Sequence, residues 1–333
     1  MMTFNIALFG AGRIGTVHAR NIAEHAESRL KYVVDPASAS AEALAARFGG
    51  TVASEDAVWA DPQVDAIVVG TATSSHAELI EKGLKAGKAV FCEKPIDLSM
   101  ARVEQVMSVV KASASPLFLA FNRRFDPSIL AMKRRIVAGE IGPLELVTVI
   151  SKDPDGGLPI EYLKISGGMF CDMTIHDFDM ARYIMGEEFV SVQATAGSLT
   201  DPAIREIGDI DTATVSMQTA SGRIAVIINS RRATYGYDQR VEAHGALGML
   251  RTENVPQNLL VQERAEGVSR TVSQFFFVER YAQSYANEWA HFVRVLKGEE
   301  APSPSGEDGR KALALAEAAY RSLEARQSVS AAM

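Results

Sequence analysis

Several things are scarce in this chain, and each scarcity excludes something. It has only two cysteines in 333 residues, Cys92 and Cys171. They lack metal-ligand spacing and imply no disulfide framework. It has no long hydrophobic run. Stretches such as "IAVII" at 224–228 fall far short of the roughly 20 residues a spanning helix needs, so no membrane role is expected. It has no excess of basic charge. Lysine and arginine number 34 against 41 acidic residues, for a net charge of −7. With no basic run either, nothing recruits nucleic acid. The start, "MMTFNIALFGAG", runs straight into a strand-like segment without a basic leader or cleavage signal. No internal repeat is visible. A cytoplasmic protein with a small-molecule partner is the expectation.

What is present is a globular composition, 47% apolar and 23% charged. The length suggests about two domains. Up to residue 122, strand-like runs alternate with helix-like stretches: "FNIALFG" (4–10), "LKYVVD" (30–35), "DAIVVGT" (65–71), "KAVFCEK" (88–94) and "PLFLAFN" (116–122). That order predicts βαβ units and a doubly wound parallel sheet. From 123 to 333 the pattern changes to longer segments of alternating polarity: 144–153, 190–198, 211–219, 222–232 and 239–245. These predict an open, mainly antiparallel sheet in an α/β domain. One helix is predicted over 168–185. Two more, over about 281–297 and 306–326, close the chain and could pack back on the first domain. The tail "QSVSAAM" is expected to fray. The second sheet has too few helices to cover both faces, so burial against another copy of the chain is expected.

The first predicted strand runs into "GAGRIG", with Gly10, Gly12 and Gly15 in G-x-G-x-x-G spacing. The motif is weak alone, but here it follows a strand and opens a helix, as a dinucleotide site requires. Gly10 permits a tight turn, Gly12 lets the backbone approach a pyrophosphate, and Gly15 allows close helix–strand packing. Helix-end N–H groups and the helix dipole favour phosphate there. The glycines could also form only a turn. Asp35 ends the second strand, 20 residues after Gly15. A carboxylate there accepts from ribose hydroxyls and repels a 2′-phosphate, which favours NAD over NADP. Arg13 could offset that preference, and Asp35 could instead serve as a turn residue before Pro36.

Ligands of open parallel sheets bind beyond the carboxyl ends of the strands. Lys94, in "FCEKP", lies at such an end, as does Thr71. An ammonium there can stabilise alkoxide character, or it can be a solvated turn residue before Pro95. In "GGMFCDMTIHDFDMARY" (167–183), Asp172 and His176 are four apart and share a face if the segment is one helix. An aspartate can orient an imidazole that takes a proton near neutral pH, although a surface Asp–His pair would look the same. No H-E-x-x-H or third ligand points to a metal.

Together "GAGRIG", "EKP" and "GGMFCDMTIHDFDMARY" resemble the glucose–fructose oxidoreductase/inositol dehydrogenase (Gfo/Idh/MocA) family, in particular its bacterial inositol-oxidising branch. "NRRFDP" (122–127) and "YGYDQRVEAHGALGML" (235–250) extend the likeness over nearly the whole chain. The resemblance implies a Rossmann domain joined to an α/β domain with an open sheet, often tetrameric through that sheet. It implies Lys94, Asp172 and His176 as catalytic residues. Cofactor contacts are implied from Gly10, Gly12, Arg13, Ile14, Gly15, Asp35, Thr71, Ala72, Thr73, His76, Glu93 and Lys94. Substrate contacts are implied from Lys94, Asn122, Arg123, Asp153, Asp172, His176 and Tyr235. The family's N-x-x-H reads "TSSH" here, with Thr73 in place of asparagine and His76 kept. The activity implied is NAD-dependent oxidation of a ring secondary alcohol of a cyclic polyol, myo-inositol to 2-inosose, with scyllo-inositol or an aldose or deoxy-sugar as the alternative. A non-catalytic NAD-binding sensor or repressor is the reading from another class.

Overall fold

The computed structural model describes residues 3–154 and 158–331. The chain divides into two compact units: residues 1–125 with 284–313, and residues 126–283 with 314–333.

The first unit is a six-stranded sheet. In chain order its strands are β1 (Phe4–Phe9), β2 (Ser28–Val34), β3 (Thr51–Val52), β4 (Ala66–Val69), β5 (Ala89–Glu93) and β6 (Leu117–Ala120). They are ordered β3-β2-β1-β4-β5-β6, and every pair is parallel. This is the doubly wound Rossmann order, which reverses direction at β1 and β4. The inner strands are apolar almost without break because both faces are covered; all four residues of β4 are buried. The helix Ala282–Leu296 enters this core with Trp289, Phe292, Val293 and Val295. Its spacing presents one apolar face, and Trp289 Nε1 donates to Ser28 Oγ at 3.0 Å. Beyond it, Leu119 N on β6 donates to Pro304 O at 3.1 Å.

The second unit carries β7 (Leu144–Lys152), β8 (Phe189–Gly197), β9 (Thr212–Thr219), β10 (Ile224–Ser230), β11 (Asp238–Gly245), β12 (Gly248–Arg251), the separate hairpin β13 (Val261–Arg264) and β14 (Gly267–Arg270), and β15 (Val329–Ser330). Seven of them form one sheet, ordered β12-β11-β7-β10-β9-β8-β15. The pattern of buried and exposed residues alternates along β9 and β10, as a sheet with two unlike faces requires. Gly222, at φ +90, turns β9 into β10. The sheet is antiparallel except at its centre, where β7 and β10 run parallel. Strand periodicity looks the same in either pairing, so that detail was not legible in the sequence.

Two expectations are corrected. The tail does not wholly fray: Val329 and Ser330 pair with Val192 and Ser191 of β8. The segment 168–185 is not one helix. It is Gly168–Asp172 followed by Ile175–Met185, with Met173 and Thr174 between. The break has a polar cause. Thr174 is fully buried and its hydroxyl donates to Asn229 Oδ1 at 2.8 Å. Asp177, also fully buried, accepts from Ser151 Oγ and from Asn229 Nδ2, both at 2.7 Å. The bend lets both side chains meet donors and acceptors on β7 and β10, which a straight apolar-faced helix would leave buried and unpaired.

Candidate active site

The first unit supplies a loop made for close approach. Gly10 sits at φ +99, and a Cβ there would run into the Gly70 carbonyl, with Gly70 C at 2.7 Å. A Cβ on Gly15 would strike the Gly10 carbonyl, so the helix Arg13–Glu24 can lie this close to β1 only with glycine. Gly12 is different. Its φ of −77 suits any residue, and a Cβ there would meet, among the described residues, no atom within 4 Å beyond its chain neighbours. Neither strain nor crowding within the chain asks for glycine, whereas a pyrophosphate lying on the backbone does. Gly12 is also the N-cap of the helix, which has no side-chain cap and no acid in its first turn. These features fit a dinucleotide phosphate at the positive end of the helix. Arg13 and Ile14 form that first turn, Arg13 exposed and Ile14 half-buried.

Asp35 closes the loop from β2. Its Oδ2 accepts from Ala11 N at 2.7 Å and its Oδ1 from Ala37 N at 2.8 Å. The turn role and the ribose role are therefore compatible, because each carboxylate oxygen keeps a second lone pair. Thr71, Ala72 and Thr73 follow β4, with Thr71 Oγ1 2.7 Å from Ser75 Oγ.

His76 opens the helix His76–Lys85. It is 1% exposed, with Nδ1 2.7 Å from Pro95 O and Nε2 3.2 Å from Thr71 O. Burial pushes its pKa down, against the two carbonyls, which favour the protonated ring. Held between two main-chain oxygens, it braces the chain just past β4 and β5. Glu93, another expected contact, accepts from His18 Nε2 at 2.8 Å. That bond ties the strand end bearing Lys94 to the helix that starts at the glycine loop. Lys94 is half-buried, directly after β5. Asn122 and Arg123 open a short turn after β6, and both are buried.

The second unit holds Asp172, His176, Asp153 and Tyr235. Because the helix breaks, Asp172 ends one segment and His176 lies in the first turn of the next. Met173 and Thr174 between them keep right-handed helical backbone angles. Asp172 Oδ1 accepts from Tyr162 Oη at 2.8 Å, and Oδ2 faces Arg231 at 3.4 Å. Asp153 follows β7, its N–H donating to Ser230 O at 2.9 Å. Tyr235 keeps an exposed ring while its hydroxyl donates to Asp238 Oδ2 at 2.7 Å. Burial, then that carboxylate, pushes the phenol pKa up to about 12. Sequence reading missed Tyr162, Arg231, Asp209, Asp177 and Asn229. Each belongs to a different local pattern, and no spacing links them. Among the described residues, no group of three or more His, Cys, Asp or Glu side chains converges as metal ligands would, and no helix is long and apolar enough to cross a membrane.

Residues 4–121 match the family described as "Oxidoreductase family, NAD-binding Rossmann fold", and residues 129–251 match the GFO/IDH/MocA C-terminal domain. The chain is 48% identical to an inositol 2-dehydrogenase of Rhizobium meliloti over 331 residues, covering 99% of this chain and 100% of that one. Its fold matches the crystal structure of a myo-inositol dehydrogenase from Corynebacterium glutamicum with a TM-score of 0.95 at 40% identity, covering 99% of each chain. A scyllo-inositol dehydrogenase from Lactobacillus casei, solved with NAD(H) and scyllo-inositol bound, matches with a TM-score of 0.92 at 31% identity, over 99% of this chain and 100% of that one. With the glycine loop, the Rossmann strand order and both domain matches in agreement, the chain belongs to the Gfo/Idh/MocA family of NAD-binding oxidoreductases.

Proposed function

We propose that this oxidoreductase converts a ring secondary alcohol of a cyclic polyol to the ketone, with myo-inositol going to 2-inosose. The observation that carries the reading is full-length 48% identity to an inositol 2-dehydrogenase; the resemblance of "EKP" and "GGMFCDMTIHDFDMARY" to the family supports Lys94, Asp172 and His176 as the catalytic residues. The imidazole of His176 accepts the hydroxyl proton, and the Asp172 carboxylate stabilises the imidazolium that forms. The Lys94 ammonium donates to the oxygen as negative charge develops on it. Asn122, Arg123, Asp153 and Tyr235 supply donors and acceptors for the remaining hydroxyls. NAD, when bound, accepts the hydride from the carbinol carbon. The intact trio favours an enzyme over an NAD-binding sensor, which has no chemical use for it.

The assembly we propose is a homo-oligomer, a tetramer by the family's habit. The second unit exposes Leu146, Val190, Ile224 and Met249 on its seven-stranded sheet, an apolar surface that a second copy would cover. Two buried cysteines outside any disulfide suit a cytoplasmic enzyme of polyol catabolism.

NADH absorbance on a polyol panel tests the activity. The expected result is NAD reduction fastest with myo-inositol. Faster turnover of scyllo-inositol or an aldose would reassign the substrate within the family. NAD binding without turnover of any polyol would point to the sensor.

A further inference from the structure

Arg231 sits just past β10, with its side chain 7% exposed. Its main-chain N–H donates to Asp211 O at 2.8 Å, which fixes the backbone. Its two terminal nitrogens face Asp172 Oδ2, Nη1 at 3.5 Å and Nη2 at 3.4 Å. Nη2 also lies 3.9 Å from Asp209 Oδ2. One guanidinium thus serves two carboxylates, each side chain only 9% exposed.

Those carboxylates hold opposite ends of one short helix. Asp209 Oδ1 accepts from Met169 N at 3.1 Å, in the first turn of Gly168–Asp172. Gly168, at φ +77, is walled in on that side: a Cβ would collide with Tyr320 Oη and come within 2.9 Å of Asp209 Oδ1. Tyr320 Oη donates to Gly167 O at 3.2 Å and accepts from Phe170 N at 3.3 Å. Asp172 is the last residue of the helix, and its other oxygen takes the Tyr162 hydroxyl. If the guanidinium were removed, two acids would remain in a water-poor pocket without their shared cation. Like charges so placed repel, and the Asp172 carboxylate would lose its fixed position.

We propose that Arg231 is a positioning residue for the oxidation: its guanidinium, shared between Asp172 and Asp209, holds the Asp172 carboxylate in place ahead of the His176 helix. The proposal rests on Asp172 belonging to the catalytic centre. It differs from a general stability role, because it predicts loss in turnover without loss in substrate binding. A lysine keeps the charge but not the planar fork, so it should restore part of the function.

The test compares full-length Arg231→Met, Arg231→Lys and Asp172→Asn with the parent, using NADH formation on the best polyol, calorimetry for NAD and thermal unfolding for integrity. Arg231→Met is expected to lower kcat roughly 10- to 100-fold, the scale of a misplaced catalytic group. KM for the polyol should stay within about twofold, the signature of an interaction needed mainly in the transition state. NAD affinity should not change, and Arg231→Lys should recover part of the lost kcat. If Asp172→Asn keeps normal turnover, the reading of Asp172 as catalytic fails and this proposal falls with it. If Asp172→Asn is inactive but Arg231→Met keeps its kcat, or loses activity through KM alone, only the positioning role is overturned. The same holds if the lysine variant is as slow as the methionine one. Should Arg231→Met not unfold cooperatively, Arg231→Gln, neutral but still a donor, is judged by the same criteria.

Discussion

Asp238 and Glu288 are both fully buried carboxyls, one in each unit, and they are treated in opposite ways. Asp238 accepts from Tyr235 Oη, Arg240 Nε and Asn254 Nδ2, each at 2.7 Å. Burial alone would raise its pKa, yet the bonds from Arg240, Asn254 and Tyr235 outweigh burial and leave it below the usual range. Glu288 lies in the core of the first unit, and neither of its oxygens has a hydrogen-bond partner there. Burial, and then the nearby Glu93 carboxylate, pushes it well above the usual range. The difference reflects two ways of building. The second unit handles its polar groups with side-chain networks that join distant strands, as in Ser151–Asp177–Asn229–Thr174. The first builds its ligand loop from main-chain geometry, and its buried Glu288 finds no donor among the described residues.

The largest effects should come from removing one functional side chain from each unit. Lys94→Ala should cost on the order of 10²–10³ in turnover, as for a lost donor to developing negative charge. His176→Ala should cost roughly 10²–10⁴, as for a lost general base. If they act as one unit, the double variant should be little slower than the poorer single one. NADH absorbance measures this, with calorimetry checking that NAD still binds. Near-normal turnover in Lys94→Ala would make the lysine a turn residue before Pro95.

Gly12→Ala sharpens the claim that the first unit's site is made of backbone. It should weaken NAD binding by about 1.5–3 kcal/mol, the worth of a lost hydrogen bond to a charged group. That corresponds to roughly 10- to 100-fold in Kd. The melting temperature should not move, because among the described residues no atom beyond the chain neighbours of Gly12 lies within 4 Å of the added methyl. Unchanged NAD affinity by calorimetry would mean that the pyrophosphate does not lie there.

The change that tests the contrast itself is Glu288→Gln. A carboxyl whose folded pKa is raised leaves stability fully present below its unfolded value, near 4.5. As pH rises from there through the folded value, the unfolded chain ionises first and stability is lost. The glutamine variant should therefore match the parent near pH 4 and exceed it at pH 8. The gap should widen by at most about 1.4 kcal/mol per pH unit within that window. Urea unfolding at the two pH values measures it. A gap that shrinks with pH would mean that Glu288 ionises against a partner after all.

Much of the fold was legible for a local reason. Strand–helix alternation up to Phe121, the glycine loop and Asp35 each depend on residues close in sequence, so spacing reveals them. The helix over 168–185 was misread because its apolar periodicity runs through Met173 and Thr174, while the cause of the break, Asn229, is 55 residues away from Thr174. The packing of His76 was not legible either, because its partner Pro95 lies past the next strand end. The parallel pairing of β7 with β10 left no mark on periodicity.

The sequence by itself determined the glycine loop after β1, because a tight turn is made by consecutive residues and the glycines that let them turn. It also determined which residues could do proton chemistry, since few side chains titrate near neutral pH. Only the tertiary structure decided what surrounds them. Arg231 comes from the end of β10, Asp209 from the loop before β9, and Tyr162 from a short helix after β7. Their convergence on Asp172 depends on strand order and register, and charge pairing across a sheet has no period along the chain.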